Sequence, residues 1–213
     1  MSMPEGTAES CALATEAELR AQFAEPNDYV KRRQLNRLER HSRNFIARSP
    51  FLVIGSVHPA RGVDVSPRGD APGFVQVLDD HTLAIPDRPG NNRLDTLSNI
   101  LADAAVGLLF VIPGIDEMLR VNGNAMVTSD PDLLAASEVD GRRPKLMIRV
   151  AVREVFLHCG KAVKRSQLWG HEYRIERASF PTLAQMTADQ IGSPDRLDEI
   201  AAKVTENYVT RMY

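Results

Sequence analysis

Beyond Pro50 the apolar positions fall into short runs, alternating or wholly apolar, broken by Gly, Pro, Asn and Asp. That texture predicts strands over 51–57, 63–66, 74–78, 82–86, 106–112, 118–127 and 146–157. His58-Pro59-Ala60-Arg61-Gly62 and Asp79-Asp80-His81 read as hairpin connections, and Pro113-Gly114 as a turn. In the last strand Leu146, Ile148, Val150 and Val152 alternate cleanly, then the phase slips to Val155 and Leu157. A bulge near Arg153 and Glu154 accounts for the slip.

Helical spacing appears elsewhere. Leu94, Leu97 and Leu101 predict a helix from Asn91 or Asn92 to about Asp103, with Asn92 and Asp95 spaced like a capping box. A short helix is expected over 15–23 and another over 130–137. From Asn27 or Asp28 a longer basic helix is expected, with Leu35, Leu38, Ser42 and Phe45 on one face and six cations from Lys31 to Arg43 on the other. The chain turns helical again past Cys159, where Leu197, Ile200, Val204 and Tyr208 mark a final helix. Seven closely spaced strands, with one helix between the fourth and fifth, predict an antiparallel barrel rather than βαβ units.

Composition narrows the function classes. In 213 residues, 43% are apolar, enough for a sizeable core, and the net charge of −2 points to neither nucleic acid nor a membrane surface. No apolar run approaches a membrane span and no signal-peptide pattern opens the chain. Cys11 and Cys159 are far apart and the five histidines lack ligand spacing, so neither a disulfide nor a metal site is expected. The setting expected is reducing and cytoplasmic.

The chemistry concentrates in two turn-rich stretches, Asp64-Val65-Ser66-Pro67-Arg68-Gly69-Asp70 and Pro86-Asp87-Arg88-Pro89-Gly90-Asn91-Asn92-Arg93. The second runs into a helix start, whose unpaired amides and positive dipole end favour an anion. With Ser66, Asn91 and Asn92, the guanidinia of Arg68, Arg88 and Arg93 suit a terminal phosphate, against the plainer reading of solvated loop arginines. Arg120 and Asn122 share one strand face, either lining a ligand or simply exposed. Trp169, near Ser166, offers a stacking surface or packs in a core or interface. Neither a Walker sequence nor a G-x-G-x-x-G follows a strand, and Ser66 with His81 lacks a nucleophile elbow. No general base stands out, so the catalytic residues stay unassigned.

These blocks, together with Phe51-Leu52-Val53-Ile54-Gly55, Val106-Gly107-Leu108-Leu109-Phe110 and Leu119-Arg120-Val121-Asn122-Gly123, resemble the pyridoxamine 5′-phosphate oxidase-like FMN-binding split-barrel family over roughly residues 40–170. The bacterial oxidase-related FMN-binding subgroup is the nearest likeness. The resemblance implies a mainly β, α+β fold, an antiparallel split β-barrel flanked by N- and C-terminal helices. Around the FMN-binding domain (49–170), the pattern along the chain sets a flexible N-terminus (1–14), helices packing on the barrel (15–48) and a helical extension (171–213), the terminal helices lying outside the resemblance. It also implies a homodimer with FMN at the subunit interface. Ser66, Pro67, Arg68 and Asp70 would approach the ribityl phosphate or ring, and Arg88, Asn91, Asn92 and Arg93 would wall the phosphate. Arg120 would pass beside the isoalloxazine, and Ser166 and Trp169 would reach the partner's flavin.

The implied activity is FMN-dependent oxidoreduction, hydride passing through flavin N5, with an unidentified small-molecule substrate and a nicotinamide as candidate donor. Two departures argue against vitamin B6 oxidation. Thr96 stands where the oxidase proper has a phosphate-gripping lysine, and Met212-Tyr213 matches nothing in its substrate-binding terminal segment. The rival reading is a non-catalytic carrier of flavin, haem or another planar ligand. A nucleic-acid role for the basic helix ranks below both.

Overall fold

Apolar residues at every second position give the four central strands one buried face, and these inward rows build much of the core. The computed structural model describes residues 12–213. Cys11 and most of the N-terminal segment expected to be flexible lie outside the described residues. Seven strands, β1 (Phe51–His58), β2 (Gly62–Gly69), β3 (Gln76–Val77), β4 (Thr82–Pro86), β5 (Ala105–Val111), β6 (Met118–Thr128) and β7 (Met147–His158), form one sheet. Their order is β2-β1-β5-β6-β7-β4-β3 and every pairing is antiparallel. Leu52 and Ile54 meet Leu108 and Phe110 inside the sheet, with Leu119, Val121, Val150 and Val155 closing the core.

β2 and β3 are the edge strands, yet the end of β2 meets the segment leaving β4. Arg68 pairs with Asp87 at 2.7 Å, and Arg88 with Asp70 at 2.7 Å. These reciprocal ion pairs tie together parts of the sheet that lie five strands apart in its order, so the sheet curls into a split barrel. The bulge expected in the last strand is present. Asn122 faces Glu154 and Gly123 faces Val152, leaving Arg153 as the extra residue. Gly123 sits where any Cβ would run into the Ala151 carbonyl, so the close approach of β6 and β7 requires glycine here.

The helix between β4 and β5, α4, spans Asp95–Ala102. (Helices are numbered in chain order, α1 to α8.) Its apolar face differs from expectation: Leu97 and Ile100 are buried, whereas Leu94 and Leu101 are 56% and 78% exposed. A polar relay seats it, Asn99 Nδ2 donating to Ser56 on β1 and Arg61 from the first hairpin donating to Asn99 Oδ1 at 2.8 Å. The expected Asn92–Asp95 capping box is absent. The cap is Leu94, left-handed at φ 60°, with no side-chain bond, while Asp95 pairs with Arg93.

The long basic helix is also broken. Residues 12–34, a unit by themselves, hold α1 (Glu16–Ala21), capped by Thr15, and α2 (Asp28–Arg32), capped by Asn27. Leu35 then exchanges two backbone hydrogen bonds with Val155, and the Leu38 amide donates to the Asp80 carbonyl. Only at α3 (Arg40–Arg48) does the helix resume, started by a reciprocal Glu39–Ser42 cap. Tertiary pairing thus overrides a helical pattern, and Arg37 and Arg43 reach Asp80. After β6 comes α5 (Pro131–Ala136), and after β7 come α6 (Lys161–Arg165), α7 (Leu183–Gln190) and α8 (Leu197–Thr210). Among the described residues no helix is long and apolar enough to cross a membrane.

Candidate functional site

Where the curled sheet closes, a cavity of about 870 Å³ opens. One wall is the end of β2, bearing Ser66, Pro67 and Arg68; the next is the turn-rich segment from Asp87 to Leu94. The first turn of α4, Asp95 to Leu97, forms a third side. An α-helix leaves its first amides without intrahelical partners, so this turn supplies donors as well as a positive dipole end. Seven of the predicted site residues therefore share one cavity: Ser66, Pro67, Arg68, Arg88, Asn91, Asn92 and Arg93. Asp70 stands behind the wall, holding Arg88.

Four further cations complete the lining. Arg142, Arg143 and Lys145 come from the loop before β7, and Arg211 follows α8. Of the seven cationic side chains, Arg68, Arg88, Arg93 and Arg143 are paired with Asp87, Asp70, Asp95 and Glu138, and Arg142, Lys145 and Arg211 leave the cavity with an excess of positive charge. Sequence reading missed these four because they lie some 50 to 120 residues beyond the Arg88–Arg93 stretch; the pairing of β7 with β4, continued by the Asp87 amide on the Leu146 carbonyl, brings the 142–145 loop there. The Arg142-Arg143 pair, read as a loop marker, was the one available signal.

The arginines are not equivalent. Arg88 donates through Nε to Asp70 and through Nη1 to the Ser137 carbonyl at 2.9 Å, and lies over the Tyr213 ring at 5.2 Å. It is a support, pinned on three sides. Arg68 donates to Asp87, but its buried Nε has no partner among the described residues. A buried donor left unsatisfied is costly, which makes this atom the clearest sign of an absent acceptor. Arg93 is largely exposed and bonded to Asp95.

Burial alone would raise the Asp70 carboxyl, but the Ala71 amide, Arg88 and the Tyr213 hydroxyl outweigh it and hold it below its ordinary 3.8. The same hydrogen bond to Asp70 raises the Tyr213 phenol. Since folding depresses this carboxyl, its contribution to stability is full above the ordinary carboxylate value and fades as pH falls through the folded one. Below about pH 4 the slope of stability against pH should be shallower in Asp70→Asn than in wild type, as read by melting temperature.

Arg120, Ser166 and Trp169 are not in this cavity wall. Arg120 lies on the outward face of β6, paired with Glu154 and stacked 5.4 Å from the Phe156 ring, its buried Nε also without a partner. His158 packs edge-on to Phe156, and burial followed by Arg120's charge lowers its pKa. Ser166 Oγ donates to the Val163 carbonyl, and Trp169 Nε1 to the Ile115 carbonyl at 3.0 Å. Cys159 is a free, exposed thiol.

An antiparallel split barrel with a cationic cavity at its closure is thus the class of protein that fold and site define. The family model described as pyridoxamine 5′-phosphate oxidase matches residues 38–159, and the chain belongs to that family. No curated protein matches the chain in sequence. Among solved structures, HupZ from Group A Streptococcus is 14% identical, with 56% of this chain and 93% of that one covered and a TM-score of 0.47. General Stress Protein 26 from Bacillus anthracis is 12% identical, with 54% and 88% covered and a TM-score of 0.42. An FMN-binding protein from Syntrophomonas wolfei is 7% identical, with 55% and 88% covered and a TM-score of 0.41.

Proposed function

We propose that the cavity binds FMN and that the protein is an FMN-dependent oxidoreductase acting on a small molecule. The observation that carries this reading is the unpartnered, buried Arg68 Nε in a cavity lined by seven cations at a helix start. A phosphate satisfies that donor and the charge together. Arg68, Arg93, Ser66, Asn91 and Asn92 would hold it, and Asp70 would act by fixing Arg88. When bound, FMN supplies hydride chemistry at N5, while the chain's residues bind it, orient it and exclude water. Arg68→Ala and Arg93→Ala should each weaken FMN binding by about 1–3 kcal/mol, the scale of a charge-assisted hydrogen bond, in a fluorescence titration. Unchanged affinity in both variants would remove the phosphate assignment.

The reading includes a homodimer with FMN between subunits. Across β2, β1 and β5 one outward face carries Val65 beside Gly55 and Gly107, and Pro67 beside Val53 and Leu109. Val65 is 64% exposed, and Arg120 and Asn122 on β6 continue the same face. A contiguous apolar face edged by an unsatisfied arginine suits a second copy of the chain. Arg120, Ser166 and Trp169 would then serve the partner's cavity. Val65→Arg, an exposed position that leaves folding intact, is expected to give a monomer in sedimentation analysis; a dimer unchanged in mass would place the interface elsewhere. Anaerobic bleaching of bound flavin by NADH or NADPH separates an oxidoreductase from a non-catalytic carrier.

A further inference from the structure

At the end of α8 and just beyond it, residues border the cavity while staying largely exposed. Thr210, Arg211 and Tyr213 line it, and Tyr213 is anchored from two of its walls. On one side its hydroxyl donates to Asp70 Oδ1 at 2.9 Å and its ring lies against the Arg88 guanidinium. On the other, Arg142 Nη1 donates to its backbone carbonyl at 3.1 Å. The segment therefore bridges the wall that follows β4 and the loop that precedes β7. Met212 between the anchors is exposed, and Arg211 has no ion pair among the described residues. Tyr213 is the half-buried residue of the segment. Its hold is a few polar contacts, two of them to arginines that an anion attracts more strongly than a carbonyl or an aromatic ring does.

We propose that residues 210–213 form a strap across the cavity, and that an anionic ligand enters and leaves only when Tyr213 releases Asp70, Arg88 and Arg142. For FMN as that ligand the inference rests on the cofactor reading above; the strap itself does not. A gate changes the path and leaves both end states alone. Its removal accelerates entry and exit together.

Two measurements on the full chain test it. In a Cys11→Ser/Cys159→Ser background, Thr96→Cys places a thiol in the cavity wall at a buried, nearly isosteric position, and Ser66→Cys gives the same reading from β2. Adding Tyr213→Ala should speed labelling of that thiol by a dianionic aromatic disulfide about tenfold, the scale of one lost hydrogen bond to a carboxylate plus its neighbours. Tyr213→Phe, which keeps the ring on Arg88, should fall between. Stopped-flow mixing of the apoprotein with FMN should then show association and dissociation both about tenfold faster in Tyr213→Ala, with Kd held within about threefold.

Labelling unchanged by Tyr213→Ala overturns the strap, whatever FMN does. Faster labelling in a protein that takes up no FMN upholds the strap and removes the cofactor reading. Faster labelling with unchanged FMN rates overturns gating of the cofactor. A faster dissociation alone, with weakened Kd, makes Tyr213 a ligand contact and overturns the gate.

Discussion

Arg88→Ala is expected to cost about 3–5 kcal/mol of stability, the loss seen when one partner of a buried ion pair is removed. For a chain of this length that is a fall of about 2–4 °C in melting temperature per kcal/mol, provided unfolding is two-state. The Asp70 side chain is 2% exposed and that of Arg88 14%, so water cannot replace the lost guanidinium. Asp70 would keep the Ala71 amide and the Tyr213 hydroxyl, two bonds that cannot neutralise its charge. The pair also joins the end of β2 to the segment leaving β4, so its loss frees the wall that carries Asn91, Asn92 and Arg93. Arg88→Ala/Asp70→Asn should recover a substantial part of the stability, because the stranded charge is gone. A double variant no more stable than Arg88→Ala would show that the loss lies in the Ser137 and Tyr213 contacts instead.

Gly123→Ala should destabilise by about 3 kcal/mol, at the upper end for an overpacked site. Its Cβ would meet the Ala151 carbonyl, and would lie 2.9 Å from Val150 Cγ1 and 3.1 Å from the Ala151 carbonyl carbon. Two of these are backbone atoms of the paired strand, so relief requires β6 and β7 to part at the bulge. Gly107→Ala is the control. There the nearest atom is the Asn122 side-chain oxygen at 3.3 Å, which can turn away. Chemical denaturation of both variants gives the comparison, and equal stabilities would contradict the account of the bulge.

Strand periodicity was legible in the four central strands because each has one buried face. The slip between Val152 and Val155 showed even the bulge, since an extra residue reverses the alternation and nothing else in a strand does. Helices were less legible. Leu94 and Leu101 share a helical face with Leu97 in the sequence, but the sheet takes the Leu97–Ile100 face and leaves the other two out. Similarly, Leu35 and Leu38 fit a helix, and backbone bonds to Val155 and Asp80 pull them out of one.

At the site, arginines in turn-rich segments beside a helix start were readable because those chemistries are local. Their partners were not. Asp87 and Asp70 take up Arg68 and Arg88 only because the sheet curls, the 142–145 loop arrives through the pairing of β7 with β4, and Tyr213 comes from beyond α8. No local pattern encodes closure between strands five apart in the sheet order. The same holds for Arg120, Ser166 and Trp169, whose proposed roles depend on a second copy of the chain.

The most direct test is the visible absorption spectrum of the purified protein, taken after incubation with FMN and desalting. Retained flavin bands, at one FMN per chain and lost in Arg68→Ala, are the result predicted. A protein that folds, keeps its cavity and retains no flavin would contradict the central claim.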